Sequence, residues 1–264
     1  ITGVRTEPEA IHADLADGSR HSARLLVAAD SRFSATRRAL GIGAAMHDFG
    51  RTMLVCQMTH AQPHHHCAWE WFGYGQTLAL LPMNDHPHSG AHRASTVLTL
   101  PHHLIEPLLV LDEDAFGAEM TRRFDGRLGA MQLDSTRHAY PLVGVAPHRL
   151  VAPRFACVGD TAVGMHPVTA HGFNFGLLGI DTLARLLREA QTAGQDIAAP
   201  EVLARYQRRH QRATRPLYEI TRFIARLYTT DAPPARLLRD GALRAAQVLT
   251  PFRRAVAATQ AGRR

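Results

Sequence analysis

Between Arg51 and Leu100 the stretches RTMLVCQMTHA, CAWEWF, QTLALLPM and ASTVLTL carry alternating or short continuous apolar positions, with polar or proline-bearing segments between them. A period of two is what a strand needs to keep one face on a core, so this part of the chain is predicted to form an antiparallel sheet. Residues 102–126 follow a helical pattern, with Glu113 and Asp114 early and Arg122 and Arg123 late, the order the helix dipole favours. A last strand of this sheet is expected just before Tyr140-Pro141-Leu142. At the start, alternation around Ala13 and Leu15 and the Asp17-Gly18 turn predict a β-ribbon that feeds a buried strand over Ala23 to Ala29. Residues 155–158 are short and apolar enough for a buried parallel strand. After Leu186 the chain reads as helical and basic, in YQRRHQRATRPLYEITRFIARLY, PARLLRDGALRAAQVL and TPFRRAVAATQ.

Two strand ends carry candidate chemistry. In FACVGDTAVGMHPVTAHGFNFGLLGIDTLA, Gly159-Asp160 stops the strand, and Asp160 is placed to accept a sugar-like hydroxyl where ligands of open α/β sheets bind. Past the loop, Gly172 and Gly176 permit close backbone approach, and the free N–H groups of the following helix suit a partly negative ligand atom. In LLVAADSRFSATRRALGI, Asp30 again ends a strand, and Ser34 can cap the helix that carries Arg37. Without a ligand, both runs would read as ordinary strand–turn–helix packing.

The order GD, HP, HGFNFG, LA resembles the second flavin motif of the group A flavoprotein monooxygenases, and in particular the ubiquinone-biosynthesis hydroxylases, whose pattern is roughly GDAAH…HP…GQGxNxG…D…LA. The A-D-S…S-x-x-R run is similar to the family's middle motif, with Ser31 in place of its Gly. The resemblance implies a p-hydroxybenzoate-hydroxylase-like FAD-binding fold, α/β with an antiparallel substrate domain. It implies FAD contacts from Asp30, Arg37, Gly159, Asp160, Pro167, Gly172, Phe173 and Asn174, with His166 and His171 able to orient flavin or substrate. Trp71, Phe72 and Leu80 correspond to the family's substrate-facing strands, although for Trp71 and Phe72 taken singly ordinary core packing is the more common role. Three positions depart from the pattern: His171 for Gln, Gly179 for Asp, and Val163-Gly164 where the family has His. On this reading residues 1–48 are part of an FAD-binding domain, 49–150 the substrate domain, 151–190 the return to the FAD domain, and 191–264 the carboxyl-terminal helices.

The family opens with a strand and G-x-G-x-x-G, and no such run is present. The expectation is therefore an incomplete fold that starts after the ADP-binding unit. The implied reaction is hydroxylation of a polyprenylated phenol or quinol of the demethoxyubiquinol type by FAD, NAD(P)H and oxygen, within a ubiquinone-synthesis complex. The alternatives are a truncated lipid-binding or assembly partner, or a flavin-dependent isoprenoid reductase or epoxidase.

Composition narrows this further. The chain has 264 residues, 45% of them hydrophobic, enough for one large domain or two interleaved ones. All the basic residues are arginine, and the net charge of +7 is dispersed until the carboxyl end without aromatic interleaving, which argues against nucleic acid. Cys56, Cys67 and Cys157 are odd in number, widely spaced and expected to be buried, as in a reducing compartment. A cytoplasmic protein is expected, with its basic helices touching the inner face of a membrane. The His60, His64, His65, His66 cluster sits in what reads as a solvated loop, and no metal is expected.

Overall fold

In the computed structural model the described residues are 1–73, 75–167 and 171–229, with no side-chain description over 223–229. They form two compact units, one from residues 1–47 and 143 onward, the other from 48–142.

The first unit opens with β1 (Gly3–Thr6), β2 (Ile11–Asp14) and β3 (Arg20–Ala23), an antiparallel ribbon in that order. The turn before β3 is tied by Asp17, whose carboxylate accepts from the backbone and hydroxyl of Ser19. β4 (Leu26–Ala28) follows as a separate strand. The sequence predicts one buried strand over Ala23 to Ala29; instead the backbone breaks between β3 and β4, and Val27 stays 41% exposed. α1 (Ala35–Ala39) is capped as expected, since Ser34 Oγ accepts from the Arg37 N–H at 2.9 Å.

β5 (Ala44–His60) carries the chain into the second unit. There β6 (Trp69–Phe72), β7 (Thr77–Pro82) and β8 (His92–Pro101) follow, then α2 (Glu106–Leu109), α3 (Glu113–Arg123), β9 (Met131–Leu133) and β10 (His138–Pro147). The sheet order is β10-β5-β8-β7-β6, with β9 also on β5, and β5 runs antiparallel to both β8 and β9. On β5 the residues Thr52, Leu54, Cys56, Met58 and His60 all point to the buried face, the two-residue period read from the sequence. Phe116 and Met120 of α3 close that core together with Ile105, Leu108 and Phe124. α3 starts where Asp112 accepts from the Ala115 N–H at 2.7 Å. Two results differ from expectation here: the helix predicted over 102–126 is broken into a 3-10 turn, α2 and α3, and Tyr140-Pro141-Leu142 lies inside β10 instead of after a strand.

The chain then forms β11 (Val151–Ala152) and β12 (Phe155–Cys157), followed by α4 (Gly172–Thr192) and α5 (Pro200–Thr229). β12 is fully buried and pairs parallel with β4, Phe155 to Leu26 and Cys157 to Ala28. α4 and α5 pack on this pair: Leu183, Leu186, Val202, Leu203 and Tyr206 join Phe155 and Cys157 in one apolar cluster. The Tyr206 hydroxyl donates to the Cys157 carbonyl at 2.6 Å, and burial pushes its pKa up. No described helix is long and apolar enough to cross a membrane.

Candidate functional site

The parallel register of β4 and β12 brings their carboxyl ends level, so the two turns that follow, widely separated in sequence, become neighbours. Asp30 leaves the end of β4. Its Oδ2 accepts from the Thr36 N–H at 3.1 Å and from the Thr36 hydroxyl at 2.9 Å, and its Oδ1 from the Thr161 hydroxyl at 3.3 Å. Partial burial pushes this carboxyl up, but the hydrogen bonds from Ser34 and Thr36 outweigh burial and hold it below the ordinary range. Thr161 also donates to the Ser31 carbonyl at 3.0 Å, which stitches the two turns together.

Asp160 stands on the short 3-10 turn Gly159–Thr161 after β12. Its Oδ2 takes two contacts from Arg32, at 2.7 Å from Nη2 and 3.2 Å from Nε, and Arg32 Nη1 donates to the Val143 carbonyl at 3.0 Å. Arg37 is 3% exposed and donates from Nη2 to the Arg32 carbonyl at 3.3 Å, while its Nε and Nη1 are buried with no hydrogen-bond partner among the described residues. Buried guanidinium N–H groups left without an acceptor are costly, and an anionic group would satisfy them. α4 begins beside this turn: a side chain at Gly176 would meet the Gly159 Cα at 3.4 Å.

The remaining candidates fall as follows. Gly159 and Asp160 share the 3-10 turn. Gly172, Phe173 and Asn174 are the first residues of α4, and Phe173 is 77% exposed. Pro167 is exposed and His166 half-buried, while His171, the residue before α4, is buried with its ring 6.1 Å from that of Phe175. Cys157, between the two turns, has its thiol pushed up to about 12 by burial, so it carries no nucleophilic thiolate. In the second unit Trp71 faces a cavity of about 290 Å³ with Leu78, Phe124 and Arg127, whose guanidinium lies 5.1 Å from the Trp71 ring. Leu80 is in the core of the sheet, and Phe72 is turned to the other, half-exposed face of β6.

Arg32, Thr36 and Thr161 are members of this constellation that the motifs do not single out. Thr161 directly follows the Gly-Asp pair, so proximity in sequence was an available signal; Arg32 lies 128 positions from its partner. Two expectations about other residues are corrected. Cys67 is exposed, because the 61–68 loop carries it outward. His60 and His64 are buried rather than solvated, their rings 5.6 Å apart, and burial holds the His60 pKa below its ordinary value. Among the described residues no group of three or more His, Cys, Asp or Glu is arranged to hold a metal ion.

Comparison with known proteins gives named relatives. The chain is 43% identical over 256 residues to the ubiquinone hydroxylase UbiM of Neisseria meningitidis, covering 97% of this chain and 54% of that protein. The chain is similar to proteins named ubiquinone hydroxylases. It is 36% identical over 254 residues to UbiL of Rhodospirillum rubrum, named a ubiquinone hydroxylase, covering 96% of this chain and 58% of that one. It thus spans little more than half the length of these relatives. No family model matches it. Among solved structures, Klebsiella pneumoniae HpxO, crystallised with FAD and uric acid, superimposes with a TM-score of 0.70 at 20% identity over 97% of this chain and 65% of that one. The fold is the p-hydroxybenzoate-hydroxylase-like one that the motifs imply, antiparallel sheet included.

Proposed function

We propose that the chain belongs to an FAD-dependent monooxygenase that hydroxylates the ring of a polyprenylated ubiquinone precursor, of the demethoxyubiquinol type, with NAD(P)H and oxygen. The observation that carries the cofactor half is the parallel β4–β12 pair, which sets Asp30 and Asp160 side by side next to the start of α4. The donor set fits FAD: two carboxylates for the hydroxyls of its sugar-like chain, a buried guanidinium with two nitrogens unpartnered among the described residues for an anionic portion, and a helix N-terminus for an electron-rich ring edge. The named relatives support the substrate half.

When bound, FAD supplies the redox and oxygen chemistry. The chain's own residues bind and orient. Asp160 accepts a hydroxyl hydrogen at Oδ1, the oxygen that Arg32 leaves open, and Asp30, held by Thr36 and Thr161, fixes the neighbouring turn. Pro167 and Gly172 to Asn174 would border the ring edge, and His166 and His171 would orient it. Trp71, which faces the cavity, is the proposed substrate contact, with Leu80 supporting it from the core, while Phe72 on the opposite face of β6 stays outside that cavity.

We also assign the enzyme a peripheral place at the inner face of a membrane, in contact with the other proteins of ubiquinone synthesis. The support is the outer face of α5, where Arg208, Arg209, Arg212 and Arg215 are all exposed and enter no ion pair among the described residues. The helices expected after Thr229 lie outside the described residues. The test is complementation: the whole reading frame is expressed in a host lacking its ubiquinone hydroxylase and the quinones are identified by mass. Restored ubiquinone is expected; accumulation of the unhydroxylated precursor alongside soluble, flavin-loaded protein refutes the substrate assignment.

A further inference from the structure

Arg32 is not singled out by the motif it lies in, yet its side chain joins two distant segments of the site. Ser31 before it adopts a left-handed backbone, with φ of 74°, which turns the chain sharply after β4. From that turn the guanidinium spans two other segments. It holds Asp160 Oδ2 at 2.7 and 3.2 Å, and it donates to the Val143 carbonyl on β10 at 3.0 Å. The pair is part-buried, with side chains 25% and 37% exposed, so it is less screened than an ordinary surface ion pair.

The path of the side chain is built into the fold. Gly164 lies in a β-bridge with Val145, both N–H groups donating, at 2.8 and 2.9 Å. A Cβ at 164 would stand 2.8 Å from the Arg32 Cβ and 3.5 Å from its Cδ. Any larger residue would push Arg32 out of this slot. Gly164 lies in the Val163-Gly164 stretch that departs from the family pattern, and the structure gives it this specific use.

We infer that Arg32 is a positioning residue for the cofactor site. Both its contacts to Asp160 fall on Oδ2, which fixes the rotamer of the carboxylate and leaves Oδ1, which has no protein partner among the described residues, to accept from a hydroxyl of a polyol chain. Without Arg32 the carboxylate rotates freely, and binding must bear the cost of ordering it. The inference rests on the flavin reading and names how one of its ligating groups is held.

The experiment is a double-mutant cycle on the protein from the whole reading frame, with Arg32→Gln, Asp160→Asn and the double variant. FAD affinity is read by quenching of flavin fluorescence, and unfolding of the cofactor-free protein is followed in parallel. Arg32→Gln is expected to weaken FAD about tenfold in the wild-type background and less than twofold beside Asp160→Asn, because Arg32 acts through Asp160. Arg32→Lys, which keeps a charge within reach, recovers part of the loss, and Gly164→Ala weakens FAD in the same direction without adding to Arg32→Gln. Without FAD, the two substitutions are expected to be non-additive in stability. An equal loss in both backgrounds, or no loss, overturns the positioning role while the flavin assignment stands. Wild-type protein that takes up no FAD refutes the flavin assignment, and the positioning role with it.

Discussion

Gly179 and His210 make a test of packing whose sign can be worked out in advance. Gly179 is in the middle of α4, where alanine would ordinarily gain about 1 kcal/mol of helix propensity. On α5, His210 is 1% exposed and stacked on Tyr206 with ring centroids 5.7 Å apart. A Cβ at 179 would come within 2.9 Å of its Cε1 and 3.3 Å of both ring nitrogens. A ring held on its other face cannot retreat, and overpacking of this kind costs about 1–3 kcal/mol. Gly179→Ala is therefore expected to lower stability by about 1 kcal/mol in the wild type and to raise it by about 1 kcal/mol in a His210→Ala background. Urea unfolding followed by circular dichroism reads both. An increase in the wild-type background, or the same change in both, refutes the reasoning. The same ring predicts a pH dependence. Burial lowers its pKa to about 4 from the ordinary value near 6.5, so the fold favours the neutral form. The unfolded chain takes up the proton first, so this contribution is complete above about pH 6.5 and is lost as pH falls towards 4. It amounts to about 3 kcal/mol, and His210→Gln should abolish that part of the acid sensitivity.

Two further outcomes are expected. Arg154→Ala removes hydrogen bonds to the Pro8 carbonyl at 2.7 Å and the Arg24 carbonyl at 2.9 Å, and the ion pair with Asp196 at 2.6 Å. Arg154 is itself 8% exposed, so losing its three partners and its packing together is expected to cost about 1–2 kcal/mol, seen as a lower thermal midpoint; an unchanged midpoint contradicts it. Replacing Arg208, Arg212 and Arg215 together by Gln should reduce sedimentation with vesicles rich in anionic phospholipid by about 100-fold in partition, from about 1 kcal/mol per charge, and leave binding to neutral vesicles unchanged. Equal sedimentation of both proteins would remove the membrane assignment.

Much of the architecture was legible because it depends on local rules. The two-residue period of β5 and β8 marks the sheet, Ser34 reads as a cap three residues before Arg37, and the apolar run before Gly159 reads as a buried strand. Each of these follows from neighbours within a few positions. What stayed hidden depends on contacts between distant segments. Nothing near Arg32 indicates that it ends on Asp160, and nothing near Gly179 indicates that an imidazole from α5 fills the space where the family has an Asp side chain. Burial of His60 and His64 escaped for a related reason: a polar, proline-bearing run looks solvated, but the His64 ring nitrogens are satisfied by the Met83 carbonyl and the His66 N–H, which allows the loop to fold inward. Val27 shows the reverse error, an apolar residue in a strand of only three residues that lies at the edge of its sheet.

The central claim is that Asp30 and Asp160, brought together by β4 and β12, form part of an FAD site. Its most direct test is titration of FAD into the protein from the whole reading frame, beside Asp160→Ala at matched stability. The wild type is expected to bind one FAD, and the variant to lose about 10- to 100-fold in affinity, the worth of a hydrogen bond to a charged acceptor. Equal affinity of the two proteins, or no FAD uptake by the wild type, would contradict the account.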